Sequence, residues 1–116
     1  MKFYGYKKCS TVKKAKKWLE ENNFKFEEID LIDTPPTKEE IRKIYENSDY
    51  ELKKFFNTSG VKYRELGLKD VLKTATEEEM LELLASDGKL IKRPLLVTED
   101  KVLIGFKENE YKENLL

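Results

Sequence analysis

KFYGYKKCSTVKKAKKWLEENNFKFEEID (residues 2–30) opens on a short aromatic segment, passes through one cysteine, Cys9, and runs at once into a lysine-rich stretch. Lys2 to Tyr6 reads as a strand entering a core, because it is short, aromatic and ended by a turn. From Ser10 to about Asn22 the apolar residues Val12, Ala15, Trp18 and Leu19 recur at helical spacing, with Lys13, Lys14, Lys16 and Lys17 on the remaining surface. This is the pattern of an amphipathic helix with a basic face. Asn22-Asn23 ends it, and the alternation from Phe24 to Ile29 predicts a second strand. Strand, helix and strand in this order predict a right-handed parallel unit.

Further along, Asp33-Thr34-Pro35-Pro36 breaks the chain, and Thr37 with Glu40 forms a capping-box pattern before a helix whose buried face carries Ile41, Ile44 and Tyr45. Leu52, Phe55 and Phe56 form a short helical stripe. Thr76 with Glu79 starts another helix, with Met80, Leu81, Leu83 and Leu84 on its apolar side and Gly88 at its end. Between them, Tyr63 to Leu68 reads as a connector turning at Gly67. Ile91 to Thr98 returns to strand composition, Glu99-Asp100 turns, and Val102 to Phe106 completes an antiparallel hairpin, with a final short helix over about Lys107 to Leu115. The strand-bearing ends, about 1–32 and 89–116, predict one mixed sheet, with residues 33–88 as an inserted helical lobe of a single domain.

Composition narrows the chemistry. The 116 residues are 39% apolar and 40% charged, and six Phe, six Tyr and one Trp supply the large apolar surfaces of a folded chain. Lys plus Arg and Asp plus Glu both number 23, so no net field draws the protein to a membrane or directly to nucleic acid. The N-terminus lacks a signal-peptide stretch, and the longest uncharged apolar run, Pro94 to Val97, cannot span a bilayer, so a cytoplasmic location is expected. With one cysteine and no histidine, an internal disulfide, a zinc site and a histidine-based triad are excluded within one chain, and no metal is expected. Thiol chemistry remains.

Cys9 lies between a strand and a helix, where free backbone amides and the positive helix end favour a thiolate, and Lys7, Lys8 and Lys13 are expected to add positive charge. Arg93-Pro94 stands where a strand begins. Proline there suggests a special backbone feature, and an X-Pro bond is the kind that is cis at appreciable frequency. Arg93 is suited to clamping an anion bidentately, or else is a solvated surface arginine.

Three segments in this order, FYGYKKCSTVKKAKKWLEENN (3–23), FFNTSGVKYRELGLKD (55–70) and LLASDGKLIKRPLLV (83–97), resemble the arsenate reductase (ArsC) and Spx family, in particular its Gram-positive arsenate-reductase-like branch. The resemblance covers nearly the whole chain. It implies an α/β fold of the thioredoxin/glutaredoxin type, a mixed four-stranded sheet with a central helical insertion. It also implies a cis bond before Pro94 that places this backbone beside Cys9. In the reductases the cysteine attacks the oxyanion, an arginine before the cis-proline helps hold it, and glutathione or glutaredoxin resolves the product. By resemblance Cys9 takes the catalytic role, and Lys8, Ser10, Thr11, Asn57, Arg93, Pro94 and Lys107 form an anion- or thiol-binding set. Asn57 stands where the reductases carry a second arginine, and Lys107 stands for the basic residue after the last strand.

The function implied is a monothiol oxidoreductase without a tightly bound cofactor. Its co-substrate is glutathione or another low-molecular-weight thiol, and its partner is an external thiol or a glutaredoxin- or thioredoxin-type reductant. The alternative from the same resemblance is an Spx-like regulator that binds RNA polymerase. Spx-type members often carry Cys-x-x-Cys, and Val12 occupies the second position here.

Overall fold

The computed structural model describes residues 1–116. Strand β1 (Lys2–Gly5) leads into helix α1 (Ser10–Glu21) and then strand β2 (Glu27–Asp30). Helices α2 (Lys38–Glu46), α3 (Val61–Glu65), α4 (Leu68–Val71) and α5 (Glu77–Ser86) follow, with a 3₁₀ turn at Leu52–Phe55 and another at Gly88–Leu90. The hairpin of β3 (Leu95–Val97) and β4 (Val102–Ile104) and helix α6 (Glu108–Leu115) complete the chain. The sheet order is β2-β1-β3-β4, with β1 parallel to β2 and antiparallel to β3, and β3 antiparallel to β4. This is the mixed four-stranded α/β sheet of the thioredoxin-like fold.

Side-chain alternation along the strands divides the interior into two layers. Phe3, Leu96 and Leu103 stand in register across β1, β3 and β4 and pack with Val12, Ala15, Trp18 and Leu19 of α1 and Tyr111 of α6. Their neighbours Tyr4, Leu95 and Ile104 form the next row and face the helical side, against Ile41, Ile44, Phe55, Leu81 and Leu84. Each fully buried aliphatic or aromatic side chain contributes about 1.5–3 kcal/mol, so the sheet is held from both faces. The Thr37/Glu40 and Thr76/Glu79 capping boxes both form, and they start α2 and α5 where the sequence places them.

Four elements differ from the sequence reading. Phe24 and Phe26 precede β2 rather than lie in it. Phe24 stacks on Trp18 at 5.9 Å and Phe26 packs on Phe3 at 5.3 Å, while pairing with β1 begins at the register Lys2↔Glu27. Tyr63 to Leu68 is not a plain connector: α3 and α4 flank Gly67, whose φ of +62° supplies the left-handed turn between them. The strand expected from Ile91 starts only at Leu95. Ahead of it, Lys92 N–H donates to the Phe55 carbonyl and Asn57 N–H to the Leu90 carbonyl, both at 2.8 Å, and Ile91 bridges to Phe56. These backbone bonds tie the 55–57 segment to the approach to β3. In the same way β4 stops at Ile104, because Gly105 turns the chain with a φ of +74°.

Candidate active site

A tight turn from Tyr6 to Cys9, closed by the Cys9 N–H donating to the Tyr6 carbonyl at 2.9 Å, carries the chain from β1 to the N-cap of α1. Gly5 permits this connection, since a Cβ there would lie 2.7 Å from Val12 Cγ1. The close approach of strand and helix brings the first amides of α1 to the thiol. Cys9 is half-buried. Partial burial by itself pushes the thiol pKa up, and it is outweighed by the backbone N–H groups of Val12 and Thr11 and by Arg93, as donor and as charge, so the net pKa lies below the ordinary thiol value. The flanking lysines are not among these causes, which corrects the expectation from sequence. The groups that lower the pKa are the helix-end amides and Arg93, which comes from a distant part of the chain.

Arg93 comes from the distant 90–94 segment, and the Arg93-Pro94 peptide bond is cis. Its guanidinium lies over the Tyr6 ring, 5.1 Å from the centroid, and its Nη1 is buried without a hydrogen-bond partner. An unpaired buried donor is costly. This one is available to an incoming acceptor.

Cys9, Thr11, Asn57, Arg93 and Lys107 all line one open cleft of about 580 Å³. Lys8, Ser10 and Pro94 do not. Lys8 and Ser10 are exposed on the turn and at the start of α1, while Pro94 is buried and accepts the Gly105 N–H at 2.8 Å, joining the base of β3 to the far wall. The remaining lining, Ser59, Gly60, Val61, Lys92, Ile104, Gly105 and Phe106, was not singled out from sequence. Lys92 adjoins the recognised Arg93, which was the one available signal. The others come from the turn into α3 and from the end of β4 with the residues after it, segments that meet only in the fold. Three cations and no carboxylate line the cleft, so a chain of zero net charge is locally basic beside its cysteine.

A thioredoxin-like sheet with a cysteine at the N-terminus of its first helix, facing an arginine before a cis-proline, defines a class of thiol-bearing α/β domain. The chain belongs to the ArsC family, whose sequence model matches residues 4–114. It is 58% identical to YusI of Bacillus subtilis over 97% of this chain and 95% of that protein. It is also 32% identical to the regulatory protein MgsR of the same organism, over 93% of this chain and 84% of that protein. The solved structure of a possible arsenate reductase from Streptococcus mutans superposes with a TM-score of 0.87 at 49% identity, covering 96% of each chain.

Proposed function

We propose that this protein is a monothiol oxidoreductase of the arsenate-reductase-like kind, with Cys9 as its nucleophile. The observation that carries the reading is the setting of Cys9, half-buried at the mouth of a basic cleft, with its pKa lowered against the effect of burial by two helix-end amides and Arg93. The Cys9 thiolate attacks one sulfur of a mixed disulfide, a new disulfide forms between Cys9 and that sulfur, and the other sulfur leaves as a thiolate. Lacking a second cysteine, the protein relies on an external thiol, glutathione or another small thiol or a glutaredoxin-type reductant, to attack this bond and release Cys9. Thr11, Asn57, Arg93 and Lys107 bind the anionic parts of the substrate. Arsenate is a poor substrate, because Asn57 offers the cleft a neutral amide where, by resemblance, the reductases carry an arginine.

The test is reduction of a glutathione mixed disulfide with excess glutathione, followed through a coupled NADPH-dependent reductase. Turnover by the wild type and none by Cys9→Ser supports the reading, and equal rates for both proteins refute it. The likeness to MgsR favours a second reading, an Spx-like regulator that binds RNA polymerase. Retention of purified polymerase by the immobilised protein, undiminished in Cys9→Ser, would select it.

A further inference from the structure

We propose that Tyr6 is a positioning residue, whose ring face holds the Arg93 guanidinium at the cleft beside Cys9. The inference rests on the reading of Cys9 as a reactive thiolate and adds a residue that this reading does not use. Apart from Cys9 itself, toward which it acts as donor and as charge, Arg93 has little else to keep it in place. No ion pair of the chain includes it, and its buried Nη1 has no partner. Lys92 and Lys107 line the same cleft and no carboxylate does, so neighbouring charge repels a third cation from this place. A guanidinium so situated gains hydration by swinging out to solvent. The counterweight is the Tyr6 ring, 5.1 Å from the guanidinium carbon, whose π-face attracts a cation and is not itself charged.

Tyr6 is also fixed with respect to the thiol. Its carbonyl accepts the Cys9 N–H at 2.9 Å, so ring and sulfur sit on one closed turn. The ring therefore sets where the guanidinium lies relative to the sulfur, although it does not touch the reacting atoms. An aromatic residue is needed here, and the phenol hydroxyl is not.

The experiment is the rate of Cys9 alkylation by iodoacetamide as a function of pH, in the wild type, Tyr6→Phe, Tyr6→Leu, Arg93→Gln and the Tyr6→Leu/Arg93→Gln double variant. Tyr6→Phe is expected to keep the wild-type midpoint. Tyr6→Leu should raise it by roughly half to one pH unit and slow alkylation at neutral pH about threefold to tenfold, the range of a partly desolvated cation–π contact. In the Arg93→Gln background the Tyr6 substitution should add nothing, since the ring acts through the guanidinium. A depressed wild-type midpoint that Tyr6→Leu leaves unmoved, or an undiminished Tyr6 effect without Arg93, overturns the positioning role alone. A wild-type midpoint at the ordinary thiol value removes the thiolate reading and the proposal with it. Should Tyr6→Leu fail to fold, proton NMR of the wild type decides. Ring-current shielding moves the Arg93 side-chain signals upfield of those of exposed Arg64, and signals at the same position overturn the stacking.

Discussion

Asn57→Arg is expected to improve arsenate reduction, and its size follows from the donors around the thiol. On the proposed reading, an oxyanion at Cys9 would draw on the first amides of α1 and on Arg93 and Lys107 of the same cleft, but from residue 57 only on a neutral amide. The backbone at this position is anchored by the Asn57 N–H to the Leu90 carbonyl at 2.8 Å, so the substitution changes the side chain without releasing the segment. Gly60 lies alongside the Asn57 side chain, and its missing Cβ leaves a path for a longer stem into a cleft of about 580 Å³. A hydrogen bond to a charged group contributes about 1.5–3 kcal/mol, which corresponds to roughly tenfold to hundredfold in affinity. The assay is steady-state arsenate reduction by wild type and variant with identical glutathione and glutaredoxin. Poor or absent wild-type turnover, with kcat/KM at least about tenfold higher in the variant, is the expected result. Efficient turnover by the wild type, or a folded variant with no gain, would refute the reasoning from donor counting.

Gly88→Ala should destabilise the fold strongly. A Cβ at this buried position collides with the Leu31 carbonyl oxygen, which belongs to backbone and cannot rotate away, so overpacking of at least about 1–3 kcal/mol is expected. Thermal unfolding would show a Tm lower by several degrees, and an unchanged Tm would contradict the close approach. The ion-pair cluster between α2 and α5 predicts a pH dependence. Hydrogen bonding from Arg42 and then from Lys38 lowers the Glu78 carboxyl to about 2. A depressed acid contributes stability above its unfolded pKa and loses it as pH falls through the folded value. Arg42→Gln should therefore unfold more readily than wild type at neutral pH, with the gap closing toward pH 2 and shrinking in high salt. A gap that persists in acid would assign the effect to packing of the arginine stem.

What was legible in the sequence is what short-range chemistry determines. Thr37 and Thr76, each three residues ahead of a glutamate, place two helix starts because a capping box is complete within four residues. The spacing of Val12, Ala15, Trp18 and Leu19 likewise marks the buried side of α1. Phe24 and Phe26 mislead for the same reason. Their alternation suits a strand, but ladder pairing begins where Met1 and Lys2 meet Glu27, a long-range event that leaves both rings packed ahead of β2. Arg93 stands out in the sequence through the proline that follows it and Asn57 through resemblance alone, and no local pattern joins positions so far apart to Cys9. Their convergence depends on backbone bonds between residues 55–57 and 90–92. Tyr6 was invisible as a partner of Arg93, because it reads as the last aromatic residue of the first strand until the turn to Cys9 lifts it out of the sheet.

The central claim, that Cys9 is a reactive thiolate working with an external thiol, is tested most directly by mass spectrometry of the protein after incubation with oxidised glutathione at neutral pH, wild type against Cys9→Ser. The account predicts a single glutathione adduct on the Cys9 peptide of the wild type, reversed by reduced glutathione, and none on Cys9→Ser. An unmodified wild-type thiol, found in a folded protein that binds RNA polymerase tightly, would contradict it and establish the regulatory reading.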